Sequence, residues 1–379
     1  MKRIEKAVLE FVEEESNAEE NYENLMKTLK DEQISEDRPK FELFLRLINQ
    51  ISNEHQRVSN FINKILRILE EEKKDVKKHF SNSEIFDFFA DNKRILLFLF
   101  EEKVIIIDDY IFSEITSKKY NTKNYEEYFL PEIKEFLRDE KNKKRFKEHK
   151  LLKNEDFVKT EISEDFYDKR REGENDNYLC YLIRSDLVKD FGVYMNRHNL
   201  SFDISVEESI FETNSLILAK SDLKLIEYAS FYGSIEVIKY MKMNYEIELT
   251  SIMWFYAIHS CNSELIRYLE DNHVEPPTNN YNYVLRESIK SHHNDVSNYV
   301  IYNLIEEENL KKDIENKYHG NLYRYAIEFD NYLFFPTDFK SKNIFLYLCE
   351  FNYHTLVKLC LEEGNIEINY KNIKSIIFQ

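Results

Sequence analysis

YASFYGSIEVIKYM (residues 228–241) aligns without gaps onto YAIHSCNSELIRYL (256–269), 28 residues later. A third copy, ESIKSHHNDVSNYV (287–300), follows at an offset of 31. Tyr228, Tyr256 and Glu287 share one position, Ala229, Ala257 and Ser288 the next, and Tyr240, Tyr268 and Tyr299 a later one. Weaker copies are YLCYLIRSDLVKDF (178–191), YAIEFD (325–330) and YLCEFNYHTLVKLC (347–360). A small residue in the first half of each copy lets two antiparallel helices approach closely. Val237, Ile238 and Met241, and likewise Leu265, Ile266 and Leu269, form the stripe that the second helix buries. One such pair cannot bury both its faces, so neighbours must stack. NYEIELTS (244–251) and NHVEPPTNN (272–280) read as loops between repeats. The expected fold is therefore all-α, a solenoid of stacked helix–turn–helix repeats with an N-terminal helical region.

Composition agrees. Gly and Pro number five each among 379 residues, too few for the turns of a sheet-rich fold or the Gly-rich loops of a nucleotide-binding one. Hydrophobic residues make up 42%, enough to build a core. The net charge of −18 opposes binding to phosphate backbones and to anionic lipid, so neither nucleic acid nor membrane is an expected partner. Cys180, Cys261, Cys349 and Cys360 are scattered without a CxxC, as in a reduced, cytoplasmic protein. The apolar runs 95–100 and 104–107 fall far short of the ~20 residues of a membrane span.

Along the chain, the spacing of Ile4, Val8, Phe11, Val12, Tyr22, Leu25 and Leu29 predicts amphipathic helix over 1–30. Residues 41–69 read as one further helix, and 84–100 as a degenerate helix pair. Ser81–Glu84 offers helix N-cap chemistry, and Ser205 with Glu208 has the spacing of a capping box. The charge-dense stretch 141–176 reads as a joint. The expected division is an N-terminal helical region 1–145, a charged joint 146–177 and a repeat domain 178–379.

LIEYASFYGSIEVIKYM (225–241) resembles the ankyrin consensus: Ala229, Gly233, Glu236, Val237, Ile238 and Lys239 match it, while Lys224–Glu227 replace its T-P-L-H start. Ordered blocks over residues 166–370 resemble a family of protist proteins in which an ankyrin-like domain of unknown function precedes ankyrin repeats. The resemblance implies an ankyrin superhelix and protein binding, and it carries no catalytic residues.

Motifs for chemistry are missing. There is no G-x-x-x-x-G-K, G-x-G-x-x-G, H-E-x-x-H or G-x-S-x-G, so neither catalysis nor a cofactor is expected. Glu70–Glu72 and Glu306–Glu308 read as solvated helix faces. His292–His293–Asn294–Asp295 coincides with the turn between repeat helices, and no second cluster at metal-ligand spacing accompanies it, so no metal is expected. Cys261 stands where the consensus has Gly and reads as a small buried thiol rather than a nucleophile paired with His259. KNKKRFKEHK (141–150) reads as a charged linker, as a nuclear-import signal or as a local site for an acidic partner.

The recurring tyrosines Tyr178, Tyr228, Tyr256, Tyr325 and Tyr347 read as architectural. Variable positions of the first helix are the expected docking residues on a concave face: Phe231, Tyr232, His259, Ser260, Lys290 and Ser291. The Phe231–Tyr232 pair either anchors a partner or packs against the next repeat. The partner is another protein, of unstated identity. The alternative is self-association through the apolar tail 371–379, with Ile373, Ile376, Ile377 and Phe378.

Overall fold

A computed structural model describes the chain except residues 15, 56–60, 118–123, 154–161, 306–317, 338 and 363–379, and the side chains of 318–320. Among the described residues the regular elements are all helices, with one isolated antiparallel bridge, Ser205 to Lys224. From the N-terminus run α1 (Lys2–Glu13), α2 (Ala18–Asp31) and α3 (Arg38–Glu54). Next come α4 (Phe61–His79), α5 (Asn82–Phe88), α6 (Lys93–Glu101), α7 (Asp109–Ile115), α8 (Tyr125–Tyr128), α9 (Leu130–Phe136), α10 (Glu140–Arg145) and α11 (Lys150–Lys153). They are followed by α12 (Glu164–Glu172), α13 (Tyr178–Arg184), α14 (Val188–Arg197), α15 (Ser215–Leu218), α16 (Leu225–Tyr232) and α17 (Ile235–Tyr245). The last group is α18 (Met253–Ser260), α19 (Ser263–Asp271), α20 (Tyr281–Lys290), α21 (Asn294–Tyr299), α22 (Tyr318–Glu328), α23 (Lys342–Glu350) and α24 (His354–Glu362).

Two compact units result, one from residues 1–61 with 249–379, the other from 62–248. This differs from the expected division at 146–177. In the first unit, α1 and α3 pack on the repeats of the C-terminal third, although more than 200 residues separate them in sequence. Local composition cannot show a pairing of that kind.

The repeat copies are helical hairpins with a common turn, except that at 325–330 the second arm is the single 3-10 turn Tyr332–Phe334. After the first helix of each comes one residue in the left-handed region: Asp186, Gly233, Cys261, His292, Asp330 and Asn352, with φ between 49° and 67°. In five of them the next residue donates its N–H to the carbonyl five positions back: Leu187 to Leu182, Ser234 to Ala229, His293 to Ser288, Asn331 to Ala326 and Tyr353 to Leu348, at 2.9–3.0 Å. That is the Schellman cap, which satisfies carbonyls the helix end leaves open. The small residues the alignment singled out, Ala229, Ala257, Ser288 and Ala326, are all fully buried. So are Val237, Ile238, Met241, Leu265 and Leu269, each worth roughly 1.5–3 kcal/mol of burial.

In the second unit, α14 meets α17 where Gly192 leaves room. A Cβ on Gly192 would stand 2.7 Å from the Tyr240 hydroxyl. The two hairpins there are tied together by polar groups as well. Ser234 Oγ donates to the Ile183 carbonyl at 2.6 Å, and the Asp186 carboxylate accepts from the N–H groups of Glu236 and Val237. Asp186 thus caps α17 from the preceding hairpin. Elsewhere in this unit Arg170 is buried, held bidentately by Glu132 at 2.7 and 2.9 Å and by the Tyr128 carbonyl.

Several local expectations need correction. Residues 1–30 form a hairpin, not one helix, with Phe11 against Tyr22. The helix expected over 41–69 stops at Glu54, because His55 turns extended with ψ 146°. Ser81 does cap α5, and Glu84 completes a capping box with it. Ser205 and Glu208 do not: Ser205 lies in the bridge to Lys224, and Val206 donates to the Leu223 carbonyl, so no helix starts there. Within 141–176, α10, α11 and α12 are folded elements. Phe146 packs on Phe112 and Phe136, and Arg145 pairs with Asp109, so the basic run is built into the unit's surface.

Candidate functional site

The residues that carry ionisable chemistry gather in the first unit, where the C-terminal ends of α18 and α20 meet α1 and α3. The helix end of α20 exposes carbonyls that need donors. Gln50 Nε2 donates to the Lys290 carbonyl at 3.1 Å, and His55 Nδ1 reaches the Ser291 carbonyl at 2.8 Å. One hairpin earlier, His259 Nδ1 reaches the Glu54 carbonyl at 3.1 Å. Lys290 Nζ pairs with Glu54 Oε1 at 2.8 Å. The last turn of α3 therefore covers the ends of the repeat helices.

Four histidines line this region, and all are buried: His55, His259, His292 and His293. His259 Nε2 lies 3.3 Å from Glu287 Oε2, and Arg286 holds the other oxygen of Glu287 at 3.1 Å. Burial pushes the Glu287 carboxyl up. The His259 hydrogen bond and the charges of His259, Lys290 and Arg286 outweigh burial and hold it below the usual carboxylate range. His292 occupies the left-handed turn position. Its Nδ1 faces Glu5 Oε1 at 2.8 Å and its Nε2 faces the Phe329 carbonyl at 3.1 Å. Glu5 completes its own bonding by accepting from the Leu333 N–H at 2.8 Å.

His55 and His293 form the third layer. Their ring centroids are 4.3 Å apart. His55 Nε2 points to Glu13 Oε1 at 3.2 Å. The backbone of His259 hydrogen-bonds the His293 ring, but His293 Nε2 is buried with no hydrogen-bond partner. An orphaned buried nitrogen costs about 1–3 kcal/mol and needs a reason. Burial, with the neighbouring His55 and His259 rings, drives the His293 pKa well below the usual imidazole range, so its one ring lone pair stays available.

The six residues expected to dock a partner fall differently. Phe231 and Tyr232 belong to the second unit; His259, Ser260, Lys290 and Ser291 belong to the first. Phe231 is 2% exposed and meets the half-buried Tyr232 edge to face at 5.1 Å, so of the two alternatives Phe231 takes the packing one. His259, Ser260 and Ser291 are buried and Lys290 is half-buried. The chain's own α3, not open solvent, faces His259, Lys290 and Ser291, which corrects the expectation of an open concave surface there. Tyr228 and Tyr256 are buried as architectural residues should be, whereas Tyr178 is 55% exposed. The tail 371–379 and Glu306–Glu308 lie outside the described residues.

Glu5, Glu13, Gln50, Glu54 and His55 are the site residues the repeat alignment misses. One signal for Glu5 exists in the sequence: it shares the helix face of Val8, Leu9 and Val12, an acid on an apolar stripe. Among the described residues no helix is long and apolar enough to cross a membrane. No family model, curated protein or solved structure matches this chain.

Proposed function

We propose that the chain is a non-catalytic protein-binding scaffold, a stack of ankyrin-like helix–turn–helix hairpins of the kind found in the protist family it resembles. One observation carries the reading. The side chain that follows the left-handed residue reaches back to the first helix of the preceding hairpin in both units. Ser234 Oγ donates to the Ile183 carbonyl, and Asn331 Nδ2 donates to the Ile289 carbonyl at 3.0 Å. Each acceptor lies three residues before its own hairpin's left-handed residue, Asp186 or His292. Hairpins that repeat their mutual contacts, and not only their sequence, behave as an array.

The binding surface in this reading moves to the α13–α14 hairpin. Tyr178, Tyr181 and Val193 are 55%, 48% and 66% exposed. Tyr178 stacks near Tyr181 at 6.0 Å and meets Tyr194 at 5.5 Å, and His198 lies against Tyr194 at 4.3 Å. Clustered exposed tyrosines are the usual anchors of protein interfaces. The same reading places the chain in the cytoplasm, where its thiols stay reduced.

The experiment is affinity capture with the full chain against Tyr178→Ala/Tyr181→Ala, quantified by mass spectrometry. The variant should lose a defined set of captured proteins while its circular dichroism is unchanged. An identical capture profile would remove this face from the proposal.

A further inference from the structure

We propose that Glu13, His55 and His293 form a binding site for one divalent transition cation, of which zinc is the natural choice. The three residues come from α1, the end of α3 and the turn between α20 and α21, all within the first unit. Each offers one ligand atom, and these atoms lie within 4.8 Å of one another.

Hydrogen bonding around the two imidazoles prepares them as ligands. A ligating histidine normally gives its second ring N–H to a carbonyl, which fixes the tautomer and aims the free lone pair at the metal. His55 does this through Nδ1 and the Ser291 carbonyl at 2.8 Å, which frees Nε2 to bind. The His293 ring engages the backbone of His259, and its Nε2 is left without a partner although the residue is only 3% exposed. A cation gives that nitrogen the partner it lacks. It also explains why two imidazole rings stand 4.3 Å apart beside a carboxylate.

The geometry is close to what zinc needs. Tetrahedral ligands at 2.0–2.2 Å from the metal are about 3.3 Å from one another. The His55 Nε2 to Glu13 Oε1 distance is already 3.2 Å. No pair exceeds 4.8 Å, so the remaining edges close by about 1.5 Å at most. Two imidazoles and a carboxylate suit zinc, cobalt or nickel better than the all-oxygen preference of magnesium or calcium. The Glu13 side chain is 47% exposed and gives the cation a route from solvent. Three protein ligands leave a fourth position for water. Because its ligands come from three separate segments, the cation acts as a clamp between the N-terminal helices and the repeats, and its binding stabilises the folded unit.

The test uses the full chain, stripped with EDTA and dialysed, titrated with zinc chloride by calorimetry and with cobalt chloride by visible absorption. One zinc per chain is expected, with four-coordinate cobalt bands and a thermal midpoint raised by about 5 °C at saturating zinc. Glu13→Gln and His293→Gln should each weaken zinc binding by roughly 100-fold or more. His273→Gln, at an exposed histidine elsewhere, should bind as the wild type does. Because the Glu13 side chain is half exposed, Glu13→Gln keeps the fold and decides the matter if His293→Gln does not fold. Absence of zinc binding by the wild type overturns the proposal. So does wild-type affinity in Glu13→Gln, or an equal loss in His273→Gln, which would mark a surface site instead.

Discussion

The Nδ1 nitrogen of His292 stands 2.8 Å from the Oε1 oxygen of Glu5, and neither side chain touches solvent. The two residues are 287 positions apart. Every polar atom of the pair is used: Leu333 N–H donates to the second Glu5 oxygen, and His292 Nε2 faces the Phe329 carbonyl. A buried pair so completed adds little net stability over an apolar packing, but losing one partner leaves the other buried and uncompensated. Glu5→Gln is therefore expected to destabilise the first unit by about 3–5 kcal/mol, measured by urea unfolding. A loss below about 0.5 kcal/mol would show that the pair does not hold α1 to the repeats.

Glu72 in α4 predicts a pH effect in the second unit. Burial first, then the Asp75 and Glu71 carboxylates, push its carboxyl from 4.5 up to about 7. The folded chain then keeps a proton that the unfolded chain releases. The stability this brings is complete below pH 4.5 and is lost as pH rises through about 7. Glu72→Gln cannot ionise. After discounting for the partly exposed side chain, it should exceed the wild type by about 1 kcal/mol near pH 8 and match it near pH 4.5. Parallel stability curves for the two proteins across that range would contradict the shift.

What the sequence makes legible is what repeats or alternates locally. The buried stripe Val237, Ile238, Met241 and the small positions Ala229, Ala257 and Ser288 are set by helix periodicity, and they fall where the alignment puts them. The same alignment places Cys261 and His292 opposite Gly233, and all three adopt the left-handed conformation. Partners across the fold are another matter. His292 and His293 read as turn residues, and they are turn residues, but Glu5, Glu13 and His55 reach them from the N-terminal helices. No local pattern encodes that meeting. Phe231, open from the sequence to either an anchoring or a packing role, takes the packing one: variability within a repeat position separates residues by role only when the other side of that position is open.

Left-handed positions give a pair of opposite substitutions. Cys261 has φ 49°, a conformation that disfavours a side chain with a Cβ. Cys261→Gly should raise stability by about 0.5–1 kcal/mol, since relief of strain exceeds the added freedom of the unfolded chain. Gly173, with φ 72°, also accepts hydrogen bonds on its carbonyl from Thr213 N–H and Oγ1. A Cβ there would stand 2.6 Å from Arg94 Cδ and 3.1 Å from Thr213 Oγ1. Gly173→Ala should cost about 2 kcal/mol or more, as both backbone and neighbours must shift. Thermal unfolding of the two variants should move in opposite directions. A midpoint lowered in Cys261→Gly would mean the turn tolerates its cysteine without strain.

The bonds between hairpins supply the strictest check on the array. Ser234 Oγ and Asn331 Nδ2 are both buried donors to a carbonyl of the preceding hairpin, and Asn331 also donates to Asn294 Oδ1 at 2.9 Å. Alanine at either position removes one of two donors from its carbonyl, since Asp186 N–H stays on Ile183 and His292 N–H on Ile289, at a cost of about 0.5–1.5 kcal/mol. The two residues belong to different compact units, so their effects should add. Hydrogen exchange can locate each effect: Ser234→Ala should lower protection in α13, α16 and α17, and Asn331→Ala should lower it in α20 and α22. If hairpins stack as repeats, each loss spreads to the preceding hairpin but leaves the other unit's protection unchanged. Loss confined to the mutated turn alone would mean that the recurring bond is incidental to how the hairpins hold together.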